Sequence, residues 1–164
     1  MPHFNFGVVV FVMTAVMAAP SAASAQRLSV GAGAGIAAST EGTLSEGRTG
    51  LIVTGQITTP GAVDGGLEAD GWWRGSSSVL LATAHLQFHL PSTPLLFTLG
   101  AGVGRGDPDG LGTINGTAGH VGVALDMGRR SSSVALTLFG NGFLIYAPAR
   151  SLQMVNAGLA ITRR

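Results

Sequence analysis

The chain has 164 residues and a formal net charge of +1, from nine arginines, no lysine and eight carboxylates. With no basic patch or stripe, nucleic acid is excluded as an expected partner. With no cysteine, disulfides and thiolate metal sites are excluded too.

Glycine is frequent, at 26 residues, but it does not recur at every third position, which excludes collagen. Its cost of about 1 kcal/mol per helix-interior position argues against long helices. In chain order, the first feature is the apolar run from Gly7 to Ala19, followed by small residues ending Ala23-Ser24-Ala25. An apolar core before an A-x-A site is the pattern of a signal peptide, and the run is shorter than the roughly 20 residues a spanning helix needs. The expectation is a signal peptide over residues 1–25, cleaved before Gln26, and one domain over residues 26–164.

The remainder reads as eight strands with a period of two. In the first, about 27–38, Leu28, Val30, Ala32, Ala34, Ile36 and Ala38 share one face, and a polar loop follows. In the second, 48–59, Leu51, Val53, Gly55 and Ile57 alternate with Ile52, Thr54, Gln56 and Thr58. The third, about 66–74, sets Glu68, Asp70, Trp72 and Arg74 against Leu67, Ala69, Gly71 and Trp73.

The fourth strand is the clearest. Leu80, Ala82, Ala84, Leu86, Phe88 and Leu90 lie on one face, and Leu81, Thr83, His85, Gln87 and His89 on the other. "PSTP" turns into the fifth, 95–104, with Leu95, Phe97, Leu99, Ala101 and Val103 against a glycine-rich face. The sixth, seventh and eighth are expected near 113–127, 133–143 and 151–162. They end in Val121, Val123, Leu125 and Met127; begin with Val134, Leu136 and Leu138; and carry Val155, Ala157, Leu159 and Ile161.

These faces decide between two barrels. A soluble barrel turns its apolar face inward and needs a charged exterior. Here the polar face is mostly Gly, Ser, Thr, Asn, Gln and His, a poor surface for a soluble monomer but suited to a narrow interior. Strands of about ten residues with alternating character match outer-membrane barrels, which leave no backbone edge unsatisfied. The expected fold class is all-β: an eight-stranded antiparallel transmembrane β-barrel, with both termini on the periplasmic side. Connections near 39–47, 75–78, 105–112 and 144–150 then face outward.

Candidate chemistry is sparse. His85, Gln87 and His89 point together on one strand face, and hydrogen bonds within a polar interior, to Glu68 or Asp70 on the neighbouring strand, account for them. No third ligand at a fixed spacing supports a metal. The glycines at 100, 102, 104 and 106 of "GAGVGRG" keep a strict period of two, not the G-x-G-x-x-G of a nucleotide loop. They read as a smooth inner stripe for large residues to pack on. His120, Asp126 and the serines at 76–78 and 131–133 show no nucleophile–base–orienter arrangement. No catalytic, cofactor-binding or metal residue is therefore assigned, and no cofactor. One of Trp72 and Trp73 is expected as a membrane-interface anchor.

The segments "LLATAHLQFHLPSTPLLFTLGAGVGRG", "GHVGVALDMG", "VALTLFGNGF" and "LQMVNAGLAITR" resemble the second half of small bacterial outer-membrane β-barrel proteins, the OmpA-like, OmpX-like and OmpW-like barrels. The hairpin pattern falls on Leu90, Pro91, Pro94, Leu96, Gly100, Gly102, Val103 and Arg105. The resemblance covers about 76–164 and the entry at 25–35. It implies the cell outer membrane as location and outer-membrane lipid and the barrel-assembly machinery as partners. The chain departs from the pattern at its end, Thr162-Arg163-Arg164, where members carry an aromatic residue.

The function expected is structural, adhesive or small-ligand binding through the outward loops, without catalysis. The alternatives are a lipid-modifying outer-membrane barrel enzyme and a soluble periplasmic barrel holding a small apolar ligand.

Overall fold

Alternation with period two sends successive side chains to opposite faces of a strand, and eight such strands curl until the last pairs with the first. In the computed structural model they close into an antiparallel barrel of order β1 to β8. The structure describes residues 26–39, 47–108, 110, 112–128 and 132–163. The expected signal peptide over 1–25 and most of the first outward loop lie outside these residues.

The strands are β1 Arg27–Ser39, β2 Arg48–Thr59, β3 Asp64–Arg74, β4 Ser77–His89, β5 Leu95–Asp107, β6 Ile114–Asp126, β7 Val134–Tyr146 and β8 Leu152–Arg163. Each pairs only with its neighbours in sequence, and β8 closes on β1 from Leu28↔Arg163 to Ser39↔Leu152. Every strand thus has a partner on both sides, as a closed barrel requires.

Two kinds of boundary move relative to the sequence reading. β3 starts at Asp64, because Asp64 pairs with Gln87 of β4. β5 and β7 run on to Asp107 and Tyr146, because Ser78 and Thr117 offer register partners there. The β3–β4 connection shrinks to Gly75 and Ser76, with Gly75 at φ 58°. A tight two-residue hairpin assigns such a conformation to glycine. In the β4–β5 turn the Thr93 amide donates to the Leu90 carbonyl at 3.2 Å, with Ser92 at φ 62°. Proline at the second position and a positive φ at the third mark a type II turn.

The faces fall as the alternation predicts. Leu80, Leu86, Phe88 and Leu90 are exposed, as are Leu99, Val121, Leu136, Val155 and Ile161. The soluble barrel with the Leu80–Leu90 set turned inward does not fit this arrangement. Inside, Gly104 faces Ile145: a Cβ on Gly104 would lie 2.5 Å from Ile145 Cδ1. The stripe of glycines on β5 thus makes room for large residues. Gly104→Val is expected to cost about 1–3 kcal/mol through overpacking, read as a lower urea midpoint of the refolded barrel.

The interior divides along the barrel axis. At the end away from the chain termini, the far end, it is apolar. Ile52, Trp72, Val79, Leu81, Ile114, Phe143, Ile145, Leu152 and Met154 form one buried cluster there. The sequence reading took the inward face as mostly small and polar with occasional large residues, and did not foresee that the large ones gather at one end. The half nearer the termini is polar.

Candidate functional site

The polar half is a cavity of about 70 Å³ lined by residues such as Arg27, Gln56, Glu68, His89, Thr98 and Asn141. Lining residues at strand ends, including Arg27, His89 and Asp126, place its mouth at the terminal end. The volume suffices for a few water molecules, each needing about 10–15 Å³ by the same measure.

Three strands meet at the floor. Glu68 of β3 is 6% exposed. Its Oε2 lies 3.5 Å from His120 Nδ1 of β6 and 3.9 Å from His85 Nδ1 of β4. Its Oε1 accepts weakly from Thr54 Oγ1 at 3.4 Å and Asn141 Nδ2 at 3.3 Å. Gln56 Nε2 and His85 Nε2 are 2.8 Å apart. With the amide donating, His85 carries its proton on Nδ1, facing Glu68. His120 stacks on Phe143 with ring centroids 4.4 Å apart, which joins the polar floor to the plug above it. Asp70, also buried, lies two residues beyond Glu68 on the same face.

The mouth has its own cluster, built on Asp64, which is 1% exposed. Asp64 Oδ2 accepts from Arg27 Nη1 at 2.9 Å and sits 2.6 Å from His89 Nε2. Oδ1 accepts from the Gly61 amide at 2.8 Å. One carboxylate thus ties β1, β4 and the β2–β3 turn together.

These contacts refine the sequence reading. His85, Gln87 and His89 do point inward together. His89, however, pairs with Asp64, not with Glu68 or Asp70, because the register sets it near the mouth. His85 bonds to Gln56 and only approaches Glu68. Asp126 sits at the mouth and caps the Gly128 amide at 2.9 Å, well away from His120. Trp72 points inward, fully buried, and donates Nε1–H to the Gly35 carbonyl at 2.9 Å. Trp73 alone takes the outward face, over Gly71. Phe139 and Phe143 are also interior. Gln56, Asp64 and Asn141 were not singled out in the sequence; their inward parity was the available signal. Among the described residues, no three His, Cys, Asp or Glu side chains are placed to hold a metal.

An apolar exterior around a filled interior defines the fold of the small eight-stranded outer-membrane barrels. The solved structure of Neisserial surface protein A has this fold, at a TM-score of 0.60 and 14% identity, over 84% of this chain and 96% of that one. Ail, the attachment invasion locus protein of Yersinia pestis, matches at 0.54 and 12%, over 84% and 98%. Its complex with the heparin analogue sucrose octasulfate matches at 0.54 and 10%, over 84% and 97%. No family model matches the sequence, and no curated protein does.

Proposed function

We propose that this chain is a sealed barrel of the cell outer membrane. In this reading it presents its far-end connections to the outside and serves a structural, adhesive or ligand-binding role without catalysis. The observation that carries this is the exterior: 22 large apolar side chains are exposed among the described residues, nearly all on the outward faces of strands. Water would not tolerate so continuous an apolar surface on a monomer, whereas lipid requires it. Trp73 and Tyr146 toward the far end, and the cross-strand pair Phe88↔Phe97 toward the terminal end, supply sparse aromatic girdles.

The plug opposes porin activity, since an eight-stranded interior is filled by side chains. The site geometry opposes acyl transfer. Ser77 and His85 lie eight residues apart on β4, about 27 Å along a strand, with the plug between them. Outer-membrane lipid and the barrel-assembly machinery are the partners this reading implies. Arg48, Arg74 and Arg105 are exposed at the far ends of β2, β3 and β5. A sulfated sugar, such as the heparin analogue sucrose octasulfate bound in the Ail complex, is therefore the first ligand to try on the outward loops.

The test is fractionation of cells expressing the full chain, with the outer-membrane fraction run on a gel boiled and unboiled. Enrichment there with a faster unboiled band is expected. Recovery as soluble periplasmic protein with no heat-dependent shift overturns the reading.

A further inference from the structure

Among the described residues, no arginine lies beside the buried carboxyls of Glu68 and Asp70 inside the barrel. The chain has no lysine, and the inward face of the described strands carries arginine only toward the rims, at Arg27, Arg48 and Arg74. The charged and titratable groups of the interior can be taken strand by strand. β1 brings Arg27 at the mouth, engaged by Asp64. β2 brings Arg48 at the far rim, with Thr54 and Gln56 facing the floor. β3 brings Asp64, Glu68, Asp70 and the rim Arg74, and β4 brings His85 and His89. β5 brings none, β6 brings His120 and Asp126, β7 brings Asn141 and β8 brings Asn156, the last two not titratable. Only His85 and His120 are left to face Glu68, at distances too long for hydrogen bonds.

The donors are short as well. Neither oxygen of Asp70 accepts a well-formed hydrogen bond, and the Nδ1 atoms of His85 and His120 are buried and unbonded. Glu68 and Asp70 are neighbours two apart on the inward face of β3, both buried. Two carboxylates, however, have only acceptors between them. Their contact becomes a hydrogen bond when one of them carries a proton. Two like charges sharing one buried site are otherwise strongly unfavourable.

We propose that Glu68 and Asp70 form a proton-binding site at the floor of the vestibule, filled from the terminal end. The proton lies on one carboxyl and is donated to the other. The imidazoles of His85 and His120 line the site, and the apolar plug behind Phe143 closes it from the far side. In the unfolded chain both carboxyls are in water and ionised at neutral pH. Folding therefore takes up a proton. Because the folded state binds more protons than the unfolded one, stability is greatest in acid and declines as pH rises. Under this proposal the barrel core is built for mildly acidic surroundings.

The experiment is urea unfolding of the full chain refolded in detergent micelles, between about pH 5 and pH 8, for wild type and the double variant Glu68→Gln/Asp70→Asn. Comparing the two cancels every other titrating group. One shared proton makes the wild-type folding constant fall, relative to the variant, by up to about ten-fold per pH unit. Parallel pH profiles overturn the proposal. So does a wild-type midpoint that rises with added divalent cation and is indifferent to pH, which assigns the site to a cation instead. Should the double variant fail to fold, the wild type alone decides, by its infrared spectrum. Infrared spectra of the wild type at neutral pH give an independent readout. A protonated-carboxyl carbonyl band is expected in the folded barrel and not in urea, and its absence from the folded barrel overturns the proposal.

Discussion

Trp72→Ala is expected to cost about 3–5 kcal/mol of folding stability, the cost of truncating a fully buried large aromatic side chain. Trp72 is 0% exposed within the plug. Its indole fills the space over Gly50, where a Cβ would lie 2.5 Å from Trp72 Cε2. Its N–H donates to the Gly35 carbonyl at 2.9 Å. The truncation therefore removes packing and a cross-barrel hydrogen bond at once. The interior offers little to refill the gap, since the facing positions Gly35 and Gly50 have no side chain. Urea unfolding of the refolded barrel measures the loss. Trp73→Ala, the next residue on the outward face, is the control and is expected to cost clearly less. If the two substitutions cost the same, the plug is not what stabilises the far end.

That contrast marks how far the sequence could be read. Adjacent tryptophans on one strand must face opposite ways, and alternation alone says so. Which of them faces inward follows from the parity of β3, where Glu68 and Asp70 share the face of Trp72. Strand number, closure and the outward apolar set were legible for the same reason: the side-chain period of two repeats in every strand.

Height along the barrel was not legible. It depends on register between strands, which the turns fix and composition does not reveal. Hence His89 reached Asp64 at the mouth, and His120 of β6 reached Glu68 of β3 across the interior. The plug left a trace that passed unused. Ile52, Trp72, Val79, Leu81, Ile145, Leu152 and Met154 are apolar residues on the otherwise polar parity, all in the far halves of their strands. The carboxyl pair at the floor was equally visible as Glu68 and Asp70, two apart. What the sequence withheld was the absence of any arginine at their level.

Asp64→Ala is the second substitution expected to be severe, at about 2–4 kcal/mol. Removing one partner of a buried ion pair costs about 3–5 kcal/mol when the other charge is left buried. Here the partners are partly wet: Arg27 is 32% exposed and His89 is 44% exposed, which calls for a discount. Arg27 can turn into solvent once released, and so can His89. The Gly61 amide, which donates to Asp64 Oδ1 at 2.8 Å, also loses its acceptor, so the β2–β3 turn loosens with the mouth. The damage should stay local to the terminal end. Hydrogen exchange is expected to quicken at the start of β1, the β2–β3 turn and the end of β4, while the plug strands at Trp72 and Ile145 keep their protection. Asp64→Asn retains an acceptor for Gly61 and Arg27 but not the charge, and should recover part of the loss. Uniform exchange throughout the barrel would mean that Asp64 holds the closure as a whole, not the mouth alone.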